Sequence, residues 1–203
     1  MTNQWGRALT VNDLALAELH SARLAGHVYQ VADSWCVIDE IDGCANRAIA
    51  ASQLVLPRAI AEQLTAAWIY GVAPEPRRHQ FCVLIGARTT AVRSPRVQVR
   101  EIVRSPDDVR TIAGVRVTTP LRTAVDLARY TPRSTPELVA LLARLLQYAQ
   151  YPDVSAAVRL CKHGSPAHST LAVTRFAAVS AELQTLNRQT EPDSTTGRSV
   201  SRR

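Results

Sequence analysis

The hydrophobic period of this chain changes at Phe81 and changes back near Thr119, and that switch limits the folds open to it. Phe81-Cys-Val-Leu-Ile85 is a short continuous apolar run suited to a central strand. Val97-Gln-Val-Arg100 alternates, as a half-buried strand does. Val109 to Ala113 and Val115 to Val117, parted by Gly114, have the form of a hairpin. Strands gathered in the middle, with helical spacing mostly on either side, predict an α+β fold: a small mixed or antiparallel sheet with a helical C-terminal half. At 203 residues, 46% of them hydrophobic, the chain can bury one sizeable core with at most one small appended domain.

In the front part, Thr10-Val-Asn-Asp13 has the form of a capping box, which predicts a helix starting there, with Leu16, Leu19 and Ala22 on one side and Gly26 at its end. His27 to Val31 and Trp35 to Ile38, around Ala32-Asp33-Ser34, form a second candidate hairpin. Residues 45–55 are helical in composition. Pro57 suits the first turn of a further helix in which Ile60, Leu64, Ala67 and Trp68 succeed one another at helical spacing and Gly71 closes. Beyond the sheet, Thr119-Pro120 and Thr135-Pro136 each place a cap before a proline at the first helical position. Leu138, Leu141, Leu142, Leu145 and Leu146 make a broad apolar face, and helices over 153–163 and 167–187 complete this half. Residues 189–203 are rich in Ser, Thr and Arg, with too few apolar groups to offset the entropy of ordering, so a flexible basic tail is expected. These elements divide the chain into 1–56, 57–188 and 189–203.

No apolar run approaches the roughly 20 residues that span a bilayer, and Met1 to Leu9 lacks the charged and apolar regions of a leader. A cytoplasmic protein without membrane partners is expected. Cys36, Cys44, Cys82 and Cys161 form no CxxC pair, and three of them sit in apolar runs, so ordinary buried thiols are expected. His20, His27, His79, His163 and His168 show neither HxH nor HExxH spacing, and no metal site is expected. Lys162 is the only lysine; the remaining basic residues are arginine, as in the proteins of GC-rich, actinobacterial genomes. Residues 1–76 carry 4 arginines against 8 acids, whereas residues 77–133 carry 12 against 4. An acidic front thus precedes an arginine-dense middle.

Three stretches bring a known family into view. Leu16 to Ile38 looks like the last helix and wing of a winged helix-turn-helix. Pro57-Arg-Ala-Ile-Ala-Glu-Gln-Leu-Thr-Ala-Ala-Trp-Ile-Tyr-Gly71 places Thr65-Ala66-Ala67-Trp68 before an aromatic residue and Gly71. Most specific is Ala113-Gly-Val-Arg-Val-Thr-Thr-Pro-Leu-Arg-Thr-Ala-Val-Asp-Leu-Ala-Arg129, a strand, a Thr-x-x-Arg-Thr turn and an Asp-Leu-Ala helix. Together they resemble the AbiEi family of type IV antitoxins, whose members join a winged helix-turn-helix to an α/β C-terminal domain. Against that pattern, only Met1 to Leu9 precede the first helix, so a truncated, degenerate winged region is expected. Residues 27–42 hold Asp33, Asp39, Glu40 and Asp42 and no Arg or Lys, so the wing should bind DNA weakly.

The resemblance implies a cognate nucleotidyltransferase toxin as partner and neutralisation of that toxin as function. Arg77, Arg78, Arg88, Arg93, Arg96, Arg100 and Arg104 are the candidate toxin- or anion-binding residues, because a guanidinium pairs with carboxylate through two parallel hydrogen bonds. A solvated basic face is the plainer account of the same arginines. In the matched motif, Thr118, Thr119, Pro120 and Thr123 read as a capped helix start, and Arg122 and Asp126, four apart, can pair along that helix. Two alternatives stand beside direct binding. One is phosphorylation of the toxin by an atypical ATP- and magnesium-dependent serine kinase. No GxxxxGK[ST], His-Arg-Asp or Asp-Phe-Gly motif supports it, and Lys162 is far from any Gly-rich loop. The other is transcriptional autorepression through the winged region. Without the kinase route no catalytic residue and no cofactor is assigned.

Overall fold

The structure, a computed structural model, describes residues 8–55, 58–86, 95–163 and 168–190. Among the described residues it is an α+β fold in which a two-stranded and a five-stranded sheet are packed with seven α-helices.

Helix α1 (Leu16–Leu24) leads into strands β1 (Val28–Val31) and β2 (Ser34–Val37), an antiparallel hairpin whose two-residue turn sets Ala32 at φ +52°. Thr10 and Asp13 do form local bonds: the Thr10 amide and hydroxyl both donate to Asp13 Oδ2, at 3.0 and 2.9 Å. They close an isolated turn, and the helix starts only after Ala15, whose amide donates to the Glu18 carboxylate. Leu19 is fully buried beside Val28 and Trp35, and Leu9 pairs with Trp35 through backbone hydrogen bonds, giving this part its own small apolar cluster. Leu16, expected on the same face, is half exposed.

Helix α2 (Cys44–Ser52) rests on the hairpin and on the large sheet. Beyond it the chain departs from the helix expected after Pro57. Ile60–Ala61 is not helical but forms β3, and helix α3 (Gln63–Ile69) begins only after Glu62. The reason is tertiary: β3 lies between two neighbours, antiparallel to β4 (His79–Leu84) and parallel to β7 (Val115–Thr118), and both its residues are buried. Pro57 lies outside the described residues.

The remaining strands are β5 (Val97–Ile102) and β6 (Val109–Ile112), and the sheet order is β5-β4-β3-β7-β6. It is mixed in equal parts: β4 with β5 and β3 with β7 run parallel, while β3 with β4 and β6 with β7 run antiparallel. The β6–β7 turn places Ala113 at φ +49° and Gly114 at φ +80°, the left-handed pair that a two-residue hairpin requires.

Thr119 caps helix α4 (Pro120–Tyr130) by accepting from the Arg122 amide, and Thr135 caps α5 (Pro136–Tyr148) by accepting from the Leu138 amide. Helices α6 (Ser155–Lys162) and α7 (Ser169–Thr190) complete the chain's described part. α4 is the central element, with residues 123–129 all buried and with α3, α5, α6 and α7 packed around it. Leu138, Leu141, Leu142, Leu145 and Leu146 are buried on α5, which packs against it. Of the residues expected as a flexible tail, 189 and 190 continue α7, and 191–203 lie outside the described residues. One contiguous core runs from Val31, Ala48 and Leu54 through Phe81 and Val117 to Phe176 and Leu183. Among the described residues no helix is long and apolar enough to cross a membrane.

Candidate functional site

Charge is concentrated where three elements meet. Glu62 stands at the end of β3 as the N-cap of α3, yet its carboxylate makes no capping bond, because it is turned to arginine. β5 carries Arg100, and Arg104 lies two residues after its end. α4 carries Arg122, Asp126 and Arg129, which the helical repeat stacks on one face.

Glu62 Oε1 accepts from Arg100 Nε at 2.5 Å, and Oε2 accepts from Arg100 Nη2 at 2.8 Å and from Arg104 Nη2 at 2.9 Å. The same Arg104 nitrogen lies 2.9 Å from Asp126 Oδ2, and Arg122 Nη2 lies 2.8 Å from Asp126 Oδ1. These two contacts are ion pairs at close range rather than aligned hydrogen bonds, since neither Asp126 oxygen has a donor in bonding geometry. Arg122 Nη1 also reaches Asp108 Oδ2 at 3.5 Å. Arg100 lies over the Tyr130 ring, 4.6 Å from its centroid. Glu62, Arg104 and Asp126 have side chains 1% exposed or less, so this is a buried network and not a surface ornament.

Burial works against the charge on Arg100, but the hydrogen bonds and charge of Glu62, with Asp126 behind, more than offset it and hold the guanidinium above its ordinary range. Arg104 is likewise opposed by burial and raised chiefly by Asp126. Cys82, whose Sγ lies 3.9 Å from Arg104 Nη2, is pushed up to about 12 by burial first and by Glu62 second, so it is a neutral thiol and no nucleophile. Cys36 and Cys161 are buried too, and Cys44 is half-buried.

The threonines of the motif hold α4 in place. Thr118 and Thr123 share a hydroxyl hydrogen bond of 2.8 Å, Thr123 Oγ1 donates to the Thr119 carbonyl at 2.9 Å, and Tyr70 donates its hydroxyl to the Thr118 carbonyl at 2.6 Å. Pro120 is buried at the first helical position. Arg122 and Asp126 thus sit on a helix whose start is fixed from three sides.

Of the seven candidate binding arginines, the five among the described residues do not form one surface. Arg77 and Arg78 are exposed ahead of β4. Arg88 and Arg93 lie outside the described residues. Arg96, exposed before β5, donates to Asp33 of the hairpin turn at 3.1 Å and to Glu75 at 2.7 Å. Arg100 and Arg104 belong to the buried cluster. Beside it opens a cleft of about 630 Å³ whose lining includes Arg100, Arg104, Arg122, Arg129, Val103 and Tyr130.

Residues 60–163, from β3 to the end of α6, match the family model of the AbiEi antitoxin C-terminal domain and make up just over half of the chain. The chain belongs to the AbiEi antitoxin family. Every residue of the buried cluster lies within the matched segment of this AbiEi domain. No curated protein matches the chain. Among solved structures it is similar to the RV2827C protein from Mycobacterium tuberculosis, at 15% identity and a TM-score of 0.48, over 92% of this chain and 77% of that one.

In this AbiEi chain the Arg122–Asp126 pair is given by helical spacing, whereas Glu62 and Arg129 escape a reading of the sequence. Glu62 carries a signal, an isolated acid directly after the apolar Ala59-Ile-Ala61, although the expectation of a helix there hides the turn between strand and helix that buries it. Arg129 has no such signal; it is buried because α6 covers it and receives its Nη2 on the Cys161 carbonyl at 2.7 Å.

Proposed function

We propose that this chain neutralises a nucleotidyltransferase toxin by direct, stoichiometric binding. The observation that carries the reading is the AbiEi antitoxin C-terminal domain over residues 60–163, because an antitoxin needs a toxin to act on. The contact is assigned to the side of the sheet edged by β5. There Arg77 and Arg78 are exposed, while Arg96 beside them is already paired with Asp33 and Glu75. Guanidinium groups on such an edge suit a partner whose nucleotide site is built from carboxylates, since each pairs in two parallel hydrogen bonds and keeps its charge at any physiological pH. The acidic hairpin contributes little to phosphate binding on this reading, and Asp33 is already engaged by Arg96.

Stoichiometry tests the proposal. Purified antitoxin is mixed with toxin at about one to fifty and at equal amounts, with and without ATP and magnesium, and toxin activity and intact mass are monitored; binding alone silences toxin only near equivalence. An ATP-dependent gain of about 80 Da on the toxin, with activity lost at the low ratio, overturns it in favour of phosphoryl transfer.

A further inference from the structure

At one end of the five-stranded sheet lies a mostly apolar pocket of about 300 Å³. Ile60 of β3 stands opposite Cys82 of β4, Val109 of β6 stands opposite Thr118 of β7, and Ala61 is level with Val117, so Ile60, Leu84, Val109 and Arg116 share one face of the sheet. Ile60, 1% exposed, lies deepest, Leu84 and Val109 flank it, and the Ser105-Pro106 turn closes one side. Ile85 and Val103, each next in the chain to a lining residue, are 66% and 83% exposed, so apolar surface continues around the mouth. A concave apolar site within exposed apolar surface is where ligands bind.

Charge at this pocket is one-sided. Arg104 and Arg116 line it, and no carboxylate does. Arg104 is spent on Glu62 and Asp126, whereas Arg116 has no carboxylate partner among the described residues. Arg116 donates Nη2 to the Arg58 carbonyl; its other nitrogens bond to no described residue and are open to water rather than buried. Asp107 and Asp108 follow Pro106 but line a different cleft, with Tyr148 and Tyr151. An accessible guanidinium beside an apolar wall suits a ligand with an apolar body and one carboxylate, whose two oxygens it takes in parallel hydrogen bonds. A phosphate dianion fits less well, because it would leave water for a single guanidinium among apolar side chains.

We infer that this pocket binds a small apolar carboxylic acid, with the carboxylate on Arg116 and the hydrocarbon part against Ile60, Leu84 and Val109. Its volume is at the lower end of small-molecule pockets, which fits a single ring or a short chain. Arg77, Arg78 and Arg96 do not line it, so the site is separate from the arginines assigned to toxin contact, and its test needs no toxin.

The experiment is calorimetric titration of the full chain with 3-phenylpropanoate, with 3-phenylpropanol as the uncharged control and acetate as the charge without the apolar body. The acid should bind at least about tenfold more tightly than the alcohol, as expected for charge-assisted hydrogen bonds, and acetate should give no measurable binding. Arg116→Gln should lower affinity for the acid about tenfold and leave the alcohol unchanged, and Ser105→Trp, at an exposed position, should fill the pocket and weaken both. A measurement on the unaltered chain guards against variants that fail to fold: the methyl resonances of Ile60, Leu84 and Val109 should move with 3-phenylpropanoate and stay in place with acetate. Equal affinity for acid and alcohol, no binding of the acid at millimolar concentration, or binding that leaves those methyl resonances unmoved would each overturn the assignment. An acetylated peptide ending in Phe with a free carboxylate separates a free acid from a protein C-terminus, and binding at least about tenfold tighter than 3-phenylpropanoate would overturn the assignment in favour of the latter.

Discussion

Glu62 and Arg104 illustrate what a buried charge does to a residue's substitutability. Glu62 holds two guanidinium groups with both carboxylate oxygens and is almost inaccessible to water, so Glu62→Gln leaves Arg104 with Asp126 as its one remaining carboxylate partner among the described residues, and at close range without aligned hydrogen bonds. Breaking one side of a buried pair in this way should cost about 3–5 kcal/mol, seen as a lowered urea midpoint with unchanged slope. Loss of under about 1 kcal/mol would mean that water reaches the cluster. His79 is the second instructive residue. It is fully buried against Trp68 and Phe81, with Glu75 near Nε2 and Thr65 near Nδ1, and burial keeps its pKa below the ordinary 6.5 despite the pull of Glu75. Below about pH 6.5 the unfolded chain takes up a proton that the folded chain refuses, so stability is full above that value and falls as pH drops toward the folded pKa. Denaturation midpoints at about pH 7.5 and 5.5 should therefore lie closer together in His79→Gln than in the unaltered chain. An identical gap in both proteins would remove His79 as the cause.

At the scale of elements, ends matter more than lengths. α4 is buried along nearly its whole length, so its placement depends on where it starts, and Thr119 fixes that start by accepting the Arg122 amide at 3.3 Å. Thr119→Ala should cost about 1 kcal/mol, and Thr135→Ala at the start of α5 a similar amount, by thermal or urea unfolding. The β6–β7 turn makes a cleaner test of backbone preference. A Cβ at Gly114 would meet nothing within 4 Å, so any penalty for Gly114→Ala comes from its φ of +80° alone and should be about 1 kcal/mol. At the preceding position Ala113→Asn should raise stability by a few tenths of a kcal/mol, because Asn tolerates the left-handed φ that Ala113 already adopts at +49°. A destabilised Ala113→Asn variant would show that packing, not turn conformation, dominates there.

Across the whole molecule, the segment before β3 and the family-matched domain share one core. Val31, Ala32, Cys36, Ala48, Ala51 and Leu54 are buried in the same cluster as Phe81, Val117 and Leu142, and Arg96 ties the hairpin turn to the sheet side through Asp33. A chain beginning at residue 57 should therefore expose that apolar face, bind a hydrophobic dye and lose its sharp thermal transition. A sharp transition close to that of the full chain would show the two parts to be independent. The small cluster of Leu19, Val28 and Trp35 is separate from the main core, so α1 should exchange its amides faster than α4 in hydrogen-exchange measurements.

Much of this arrangement is legible in the sequence, and for local reasons. The hairpins, the capped starts of α4 and α5, the leucine face of α5 and the Arg122–Asp126 pair all depend on residues close in sequence, whose periodicity and turn chemistry act over a few positions. The same local logic misleads where neighbours in space override it. Thr10 and Asp13 make their bonds around a turn instead of a helix, and Ile60-Ala61 leaves helical spacing because β4 and β7 offer hydrogen bonds on both sides. The buried cluster lies beyond such reasoning, since Glu62, Arg104 and Asp126 come from segments far apart in the chain and meet only when α4 packs beside the sheet. Residue order decided which charges the chain carries; tertiary packing decided which of them lost water, and loss of water is what turns an arginine from a solvated surface group into part of a site.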